Sequence, residues 1–234
     1  MTNAAVTQHN ELRPVKLSPS MMCADILNMR EEMDLLMQEK IDMLHIDIMD
    51  GKYVPNFTLN QDIGYTLSAY SGIPLDFHLM VEKVDQVCDL FTRQAGSYVT
   101  FHPETSWHPV RTIGKIKESG CKASIAIDPA MSLESVKHLL PLVDMVCVMT
   151  VNPGFSGQKL IPFCLDKIQQ LLLWKKENQS ELLIEVDGNV SWENIPKMVD
   201  AGAEVLVLGT SSVFTSQQSR QDAFQKLNNM LSPA

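Results

Sequence analysis

The chain has 234 residues, 45% hydrophobic and 20% charged, which is enough apolar content for one substantial core, at a length where α/β barrels run as one domain. A net charge of −9 repels polyanions, so neither nucleic acid nor an anionic membrane is an expected partner; a small anionic substrate stays open if backbone amides hold it. The five cysteines are odd in number, form no C-x-x-C pair and fall partly in apolar runs such as Val146-Cys147-Val148, the pattern of reduced core thiols in a cytoplasmic protein.

Residues 1–14 are polar, lack the apolar region of a secretory signal and read as a flexible N-terminal extension. No later apolar stretch reaches the roughly 20 residues that span a bilayer. From residue 15 to 234 short β-rich apolar runs alternate with segments of helical period, with no break in composition, so one domain is expected. The predicted strands cover 15–20, 43–49, 75–81, 98–102, 122–127, 145–150, 182–186 and 205–209. Helical segments follow each one, for example 26–38, 84–94, 109–119, 132–140, 163–178 and 217–231. Gly96, Gly120 and Gly202 stand after helical runs and before strands, where a residue at positive φ ends a helix. About eight βα units predict a parallel α/β fold, the closed (β/α)₈ TIM barrel, although a doubly wound open sheet has the same local pattern.

In a parallel barrel both faces of a strand are covered, so polar residues near a strand's C-terminal end are candidates for the active mouth. The second strand reads Leu44-His45-Ile46-Asp47-Ile48-Met49-Asp50. His45 and Asp47 are two residues apart and share a face, with Leu44, Ile46 and Ile48 on the other. The third strand repeats the pattern in Asp76-Phe77-His78-Leu79-Met80, and the seventh in Glu185-Val186-Asp187-Gly188. Buried imidazoles and carboxylates need partners or a metal. Two of each form an N/O set suited to Zn, Fe, Mn or Co, with no thiol to force the choice. A hydrogen-bonded core residue is the alternative for any one of them alone. Glu185, one layer deeper than Asp187, is read first as pairing with a buried polar partner, and His102, Glu104 and His108 as a solvated rim.

The stretches Asn152-Pro153-Gly154-Phe155-Ser156-Gly157-Gln158, Asp187-Gly188-Asn189 and Gly209-Thr210-Ser211-Ser212 all follow late strands. Loops there, rich in free amides, are where barrels of this kind cradle phosphate, though glycine at any single turn can serve backbone geometry alone. Met22, Met49, Met80 and Met149 also fall at strand ends, as core filler or as a water-poor lining.

Taken in order, Leu17-Ser18-Pro19-Ser20, His45-Ile46-Asp47-Ile48-Met49-Asp50-Gly51, Val54-Pro55-Asn56, His78-Leu79-Met80-Val81, Val151-Asn152-Pro153-Gly154-Phe155 and Glu185-Val186-Asp187-Gly188 resemble the ribulose-phosphate 3-epimerase family, from about Lys16 to the last helix. The resemblance implies a (β/α)₈ barrel in which His45, Asp47, His78 and Asp187 bind one divalent metal ion, with Asp47 and Asp187 also moving protons. It implies that Ser20 and His78 contact a small phosphorylated sugar, and that Gly154, Phe155, Ser156, Gly157, Gly188, Asn189, Gly209, Thr210 and Ser211 surround its phosphate. Met49, Met80 and Met149 would line the site, and a homo-oligomer is expected.

Ser156, Asn189 and Thr210 depart from the family's commonest pattern. Asn tolerates positive φ, so the turn at Asn189 can survive while its side chain decorates the pocket. Met22-Cys23, His102-Pro103-Glu104-Thr105 and Trp174-Lys175 resemble the allulose-6-phosphate branch, whereas His108-Pro109-Val110-Arg111 is closer to the ribulose-phosphate enzymes. The expected activity is inversion at C3 of either sugar by two-base proton transfer. A decarboxylase of the orotidine-phosphate type would carry Asp-x-Lys-x-x-Asp, where this chain has Asp47-Ile48-Met49-Asp50 without the lysine. A sugar-phosphate sensor without turnover is the other alternative.

Overall fold

In the computed structural model, which describes residues 14–232, eight strands and eight α-helices alternate along those residues. The strands are β1 (Lys16–Pro19), β2 (Leu44–Met49), β3 (Leu75–Met80), β4 (Tyr98–Phe101), β5 (Lys122–Ile127), β6 (Met145–Met149), β7 (Leu183–Asp187) and β8 (Val205–Leu208). The helices are α1 (Met29–Gln38), α2 (Gln61–Ser71), α3 (Val84–Val87), α4 (Pro109–Glu118), α5 (Leu133–Val136), α6 (Phe163–Glu177), α7 (Ile195–Ala201) and α8 (Arg220–Leu231). All strand pairs are parallel, in the order β1-β8-β7-β6-β5-β4-β3-β2. The ring closes between β1 and β2, where the Leu17 carbonyl accepts from the N–H groups of Asp42 and Met43 at 3.1 and 3.2 Å and Ser20 bridges His45. The (β/α)₈ barrel is therefore the fold, and the open sheet is excluded. Residues 1–13 of the expected extension lie outside the described residues.

The period of two along each strand sorts side chains by face. Ile46, Phe77, Val99, Ile125, Val146, Ile184 and Leu206 are fully buried in the large core that the helices cover. The other face builds the interior in layers of four from alternate strands, as such barrels do. Met43, Tyr98, Met145 and Val205, from the lines of the even strands, form an apolar floor. Ser18, Asp76, Ser124 and Glu185, from the odd strands, follow it toward the mouth and are fully buried. Apart from the Tyr98 hydroxyl, which accepts from Lys122 Nζ at 3.2 Å, polar side-chain atoms begin one layer above the floor.

Local chemistry sets the helix ends. Asn60 caps α2 by accepting from Ile63 N–H at 3.1 Å, and Ser219 caps α8 by accepting from Asp222 N–H at 3.1 Å. Pro109 opens α4, where its missing N–H costs nothing, and Gly202 closes α7 in the left-handed region. Four expected helices are shorter, the one over 217–231 beginning only at Arg220. Over 26–38 the chain makes a 3₁₀ turn at Ile26–Asn28 before α1, and over 84–94 the turn Cys88–Phe91 replaces the continuation of α3, with φ −126° at Val87. Over 132–140 α5 keeps only four residues; Pro141 in the next turn lacks the N–H that a continuing helix needs.

Candidate active site

Four strand ends converge at the mouth. His45 and Asp47 come from β2, His78 from β3 and Asp187 from the end of β7. His45 and His78 are fully buried, and Asp47 is buried. His45 Nε2 lies 3.4 Å from Asp47 Oδ1 and 3.8 Å from Asp187 Oδ2; His78 Nδ1 lies 3.6 and 3.3 Å from the same two oxygens. Neither nitrogen has a hydrogen-bond partner. A buried orphan of this kind is costly. The donor separations match the roughly 3.3 Å edge that bonds of about 2.0–2.1 Å produce around a tetrahedral ion. These four residues could therefore hold one divalent cation, and the residues present fit it.

Their outer contacts orient them. His45 Nδ1 donates to Asp76 Oδ2 at 2.6 Å, which also accepts from Ser18 Oγ at 2.9 Å, so that the neutral ring would turn its Nε2 lone pair toward the centre. Ser20 Oγ donates to Asp47 Oδ2 at 2.6 Å. Burial opposes charge on His45, yet the carboxylates of Asp76 and Asp47 hold its pKa well above the ordinary 6.5; burial likewise opposes charge on His78, and Asp187 and Asp47 raise its pKa. Burial pushes Asp47 up, but the two imidazoles outweigh it and hold the carboxyl below the usual range. Glu185 is raised well above 4.5 by burial and by the charge of Asp76, so it sits neutral beside Asp76 and His45. Asp76 is its nearest carboxyl neighbour, but neither Glu185 oxygen has a hydrogen-bond partner, so the expected buried polar pairing is not made.

The pKa shifts on His45, His78 and Glu185 point one way, and the His102 pKa, lowered by burial, opposes them in part. A raised imidazole pKa stabilises the fold below pH 6.5 and loses that contribution as pH rises through the folded value; a carboxyl kept neutral by burial loses stability above 4.5, where the unfolded chain ionises. Thermal unfolding of metal-stripped protein is expected at a higher temperature at pH 5.5 than at pH 8.5. Added divalent ion, which replaces protons on the imidazoles, reverses that order. A melting point that rises from pH 5.5 to 8.5 without metal contradicts the assignment.

Above the cluster opens a cleft of about 580 Å³, counting its solvent-open space. Ser20, Asp47, Asp187, Met49, Met80 and Met149 line it, with Gly154, Phe155, Ser156, Gly157, Gly188, Asn189, Gly209, Thr210 and Ser211 along the late-strand loops. His45 and His78 lie beneath it. No lysine or arginine is among the lining residues, so any anion held there is held by neutral dipoles. Gly188 has φ +110°, and a Cβ on it would meet Val151 Cγ2 at 2.5 Å and Val151 N at 2.9 Å, so no other residue fits. Across the mouth Asn56 Nδ2 donates to the Gly154 carbonyl at 2.9 Å, tying the loop after β2 to the loop after β6.

Asn189 occupies the left-handed region at φ +46°, as its residue type allows. Its Oδ1 accepts from Leu160 N–H at 3.2 Å and Asn194 Nδ2 at 2.7 Å, and its Nδ2 reaches Ser211 Oγ at 3.4 Å. The side chain laces together the loops after β6, β7 and β8. Asn189→Gly keeps the backbone and removes these bonds; KM for a phosphorylated ketose is expected to rise roughly tenfold, about one to two modest hydrogen bonds' worth. Steady-state kinetics with an unchanged KM refutes this.

The three residues read as solvated rim divide. Glu104 and His108 are exposed, as expected. His102 is fully buried, its Nε2 3.0 Å from His78 Nε2 and its Nδ1 3.6 Å from Glu104 Oε1, so the rim reading fails for it. The signal was present: Tyr98, Thr100 and His102 alternate along β4 and its extension, which places His102 on the inward face. Asp76 stood in a motif without a role. All five cysteines are free, four of them buried, and burial lifts the Cys23 thiol to about 11 with help from Asp47. No helix among the described residues is long and apolar enough to cross a membrane.

A closed parallel barrel whose mouth joins a buried His₂Asp₂ cluster to a glycine-rich neutral cleft defines the class: a barrel isomerase acting on phosphorylated sugars. Residues 16–214 match the family model described as the ribulose-phosphate 3 epimerase family, and the chain belongs to that family. It is 39% identical over 213 residues to ribulose-phosphate 3-epimerase 1 of Cupriavidus necator, covering 89% of this chain and 88% of that one. It is 38% identical over 207 residues to the ribulose-phosphate 3-epimerase of Serratia marcescens, covering 88% and 98%. Among solved structures, a mutant tryptophan synthase α-subunit from Pyrococcus furiosus superposes with a TM-score of 0.63 at 14% identity, covering 94% of this chain and 98% of that one. Thiamine phosphate pyrophosphorylase from the same organism gives 0.58 at 12%, covering 94% and 96%. These two likenesses concern the fold alone.

Proposed function

We propose that this chain inverts C3 of a phosphorylated ketose, interconverting D-ribulose 5-phosphate and D-xylulose 5-phosphate or D-allulose 6-phosphate and D-fructose 6-phosphate. The carrying observation is that Asp47 and Asp187, from strands β2 and β7, bring carboxylate oxygens to one centre at the floor of the cleft. Epimerisation beside a carbonyl removes a weakly acidic C–H proton from one face and returns a proton to the other, which needs two such groups. One aspartate takes the C3 proton, an enediolate forms on the substrate, and the other aspartate delivers a proton to the opposite face. Ser20, hydrogen-bonded to Asp47, holds that carboxylate in place and contacts the sugar, above the buried His78.

His45, Asp47, His78 and Asp187 would hold one divalent ion, Zn, Fe, Mn or Co, which when bound supplies Lewis-acid stabilisation of the developing oxyanion. Met49, Met80 and Met149 keep water from the reacting carbon. The amides and hydroxyls of the loops holding Gly154 to Gly157, Gly188 with Asn189, and Gly209 to Ser211 receive the phosphate, and the lack of cationic lining residues supports a backbone grip. We place the protein in the cytoplasm as a homo-oligomer, with neither nucleic acid nor membrane as a partner. Proton exchange from C3 into deuterated water, followed by NMR with metal-replete protein on ribulose 5-phosphate and allulose 6-phosphate side by side, tests the reading. Exchange with one sugar names the substrate. Binding without exchange on both would make the chain a sensor.

A further inference from the structure

Each imidazole of the cluster turns one nitrogen to the centre and the other away. For His45 the outward nitrogen meets the Asp76 carboxylate, a strong acceptor. For His78 it is Nε2, and its partner is another imidazole: His102 Nε2 at 3.0 Å, the rings meeting edge to edge with centroids 5.2 Å apart and planes 24° apart. Two imidazole nitrogens at that distance share one hydrogen, one donating and one accepting. His78 can offer a lone pair at Nδ1 only with its hydrogen on Nε2. His102 Nε2 is then the acceptor, and the hydrogen of His102 itself sits on Nδ1.

That nitrogen faces Glu104 Oε1 at 3.6 Å, an electrostatic contact longer than a hydrogen bond. The same oxygen accepts from Tyr53 Oη at 2.7 Å, and the Tyr53 ring lies against His102 with centroids 4.7 Å apart. The donor and acceptor roles of His78 and His102 are thus mutually consistent, and His102 Nδ1, which has no hydrogen-bond partner, faces a half-exposed carboxylate that attracts it electrostatically. His102 does not line the cleft.

We propose that His102, steadied by Glu104 and Tyr53, is a positioning residue for His78: it accepts the Nε2 hydrogen and so fixes the tautomer and ring angle in which Nδ1 faces a divalent cation. This rests on the reading that His45, Asp47, His78 and Asp187 hold such a cation. Partners of this kind behind a ligating imidazole change metal affinity without touching the metal. The two histidines are consequently unequal, one backed by a carboxylate and the other by a neutral ring.

The test measures Zn²⁺ dissociation constants of the full, metal-stripped chain by competition with a chromophoric chelator, for the native protein, His102→Phe and His102→Gln. Phe keeps a ring in the buried site without an acceptor; the Gln side-chain oxygen can reach the place of Nε2 and accept the same hydrogen. Expected is a loss of about 10–100-fold for His102→Phe and recovery for His102→Gln to within about threefold of native. Circular dichroism and a thermal melt check that each variant folds. Should His102→Phe not fold, Glu104→Ala at its half-exposed position is read instead, with Zn²⁺ binding weakened about threefold or more supporting the proposal. Equal constants in the native and folded variant proteins overturn the positioning role alone. Absence of Zn²⁺ binding by the native chain overturns the cation reading and this proposal with it.

Discussion

Asp187→Asn is expected to leave a folded barrel and to lower turnover by on the order of 10² to 10⁴, the worth of one positioned proton-transfer group. Asp187 is the last residue of β7 and lines the cleft, and its Oδ2 stands 3.3 Å from His78 Nδ1. The amide keeps the shape and an oxygen donor but cannot accept a proton at the reacting carbon. Because the same oxygen belongs to the cluster, the measurement is made on metal-replete protein, where kcat falls much more than KM rises. Isotope exchange separates the two faces: a variant lacking one base still washes deuterium into one epimer while conversion to the other stops. Turnover near that of the native protein under these conditions would sink the two-base mechanism.

The second large effect is expected on removing the metal. Chelation should abolish epimerisation and a divalent ion should restore it. The structural reason is the pair of buried, unpartnered nitrogens, His45 Nε2 and His78 Nδ1, facing two carboxylates. At 1,000 times its dissociation constant an ion that binds only the folded chain adds about 4 kcal/mol, which for a chain of this size raises the melting temperature by roughly 8–16 °C. Activity and melting temperature titrate together if one site serves both. Full activity in chelated, metal-free protein would remove the Lewis acid from the mechanism.

Much of this site was legible because strands have a short period. His45 and Asp47 on one face, with Leu44, Ile46 and Ile48 on the other, follow from spacing alone, and the structure places the apolar three in the outer core. The joining of His78 and Asp187 to them was carried by resemblance, since no local rule says which strands a barrel sets opposite each other. His102 was misread for a different reason. It follows the last residue of β4 and precedes Pro103, so its surroundings look like a loop, while burial there comes from Tyr53 and His78, distant in sequence. The helices were legible where a cap or a proline marks them, as at Ser219 and Pro109, and over-extended at 132–140, where Ser132 caps only one turn and Pro141 stops the continuation. The departure at Asn189 was readable as to backbone but not as to its side chain, whose partners Leu160, Asn194 and Ser211 meet only in the folded barrel.

The apolar floor of Met43, Tyr98, Met145 and Val205 also acts as an electrical insulator. It seals the polar layer of Ser18, Asp76, Ser124 and Glu185 from water below, so fields within the barrel are little screened along its axis. A floor residue can therefore alter the chemistry at the mouth without approaching it. A charged residue in place of Met43 would bring a new field close to that layer, making the barrel's least reactive layer a remote control on its most reactive one.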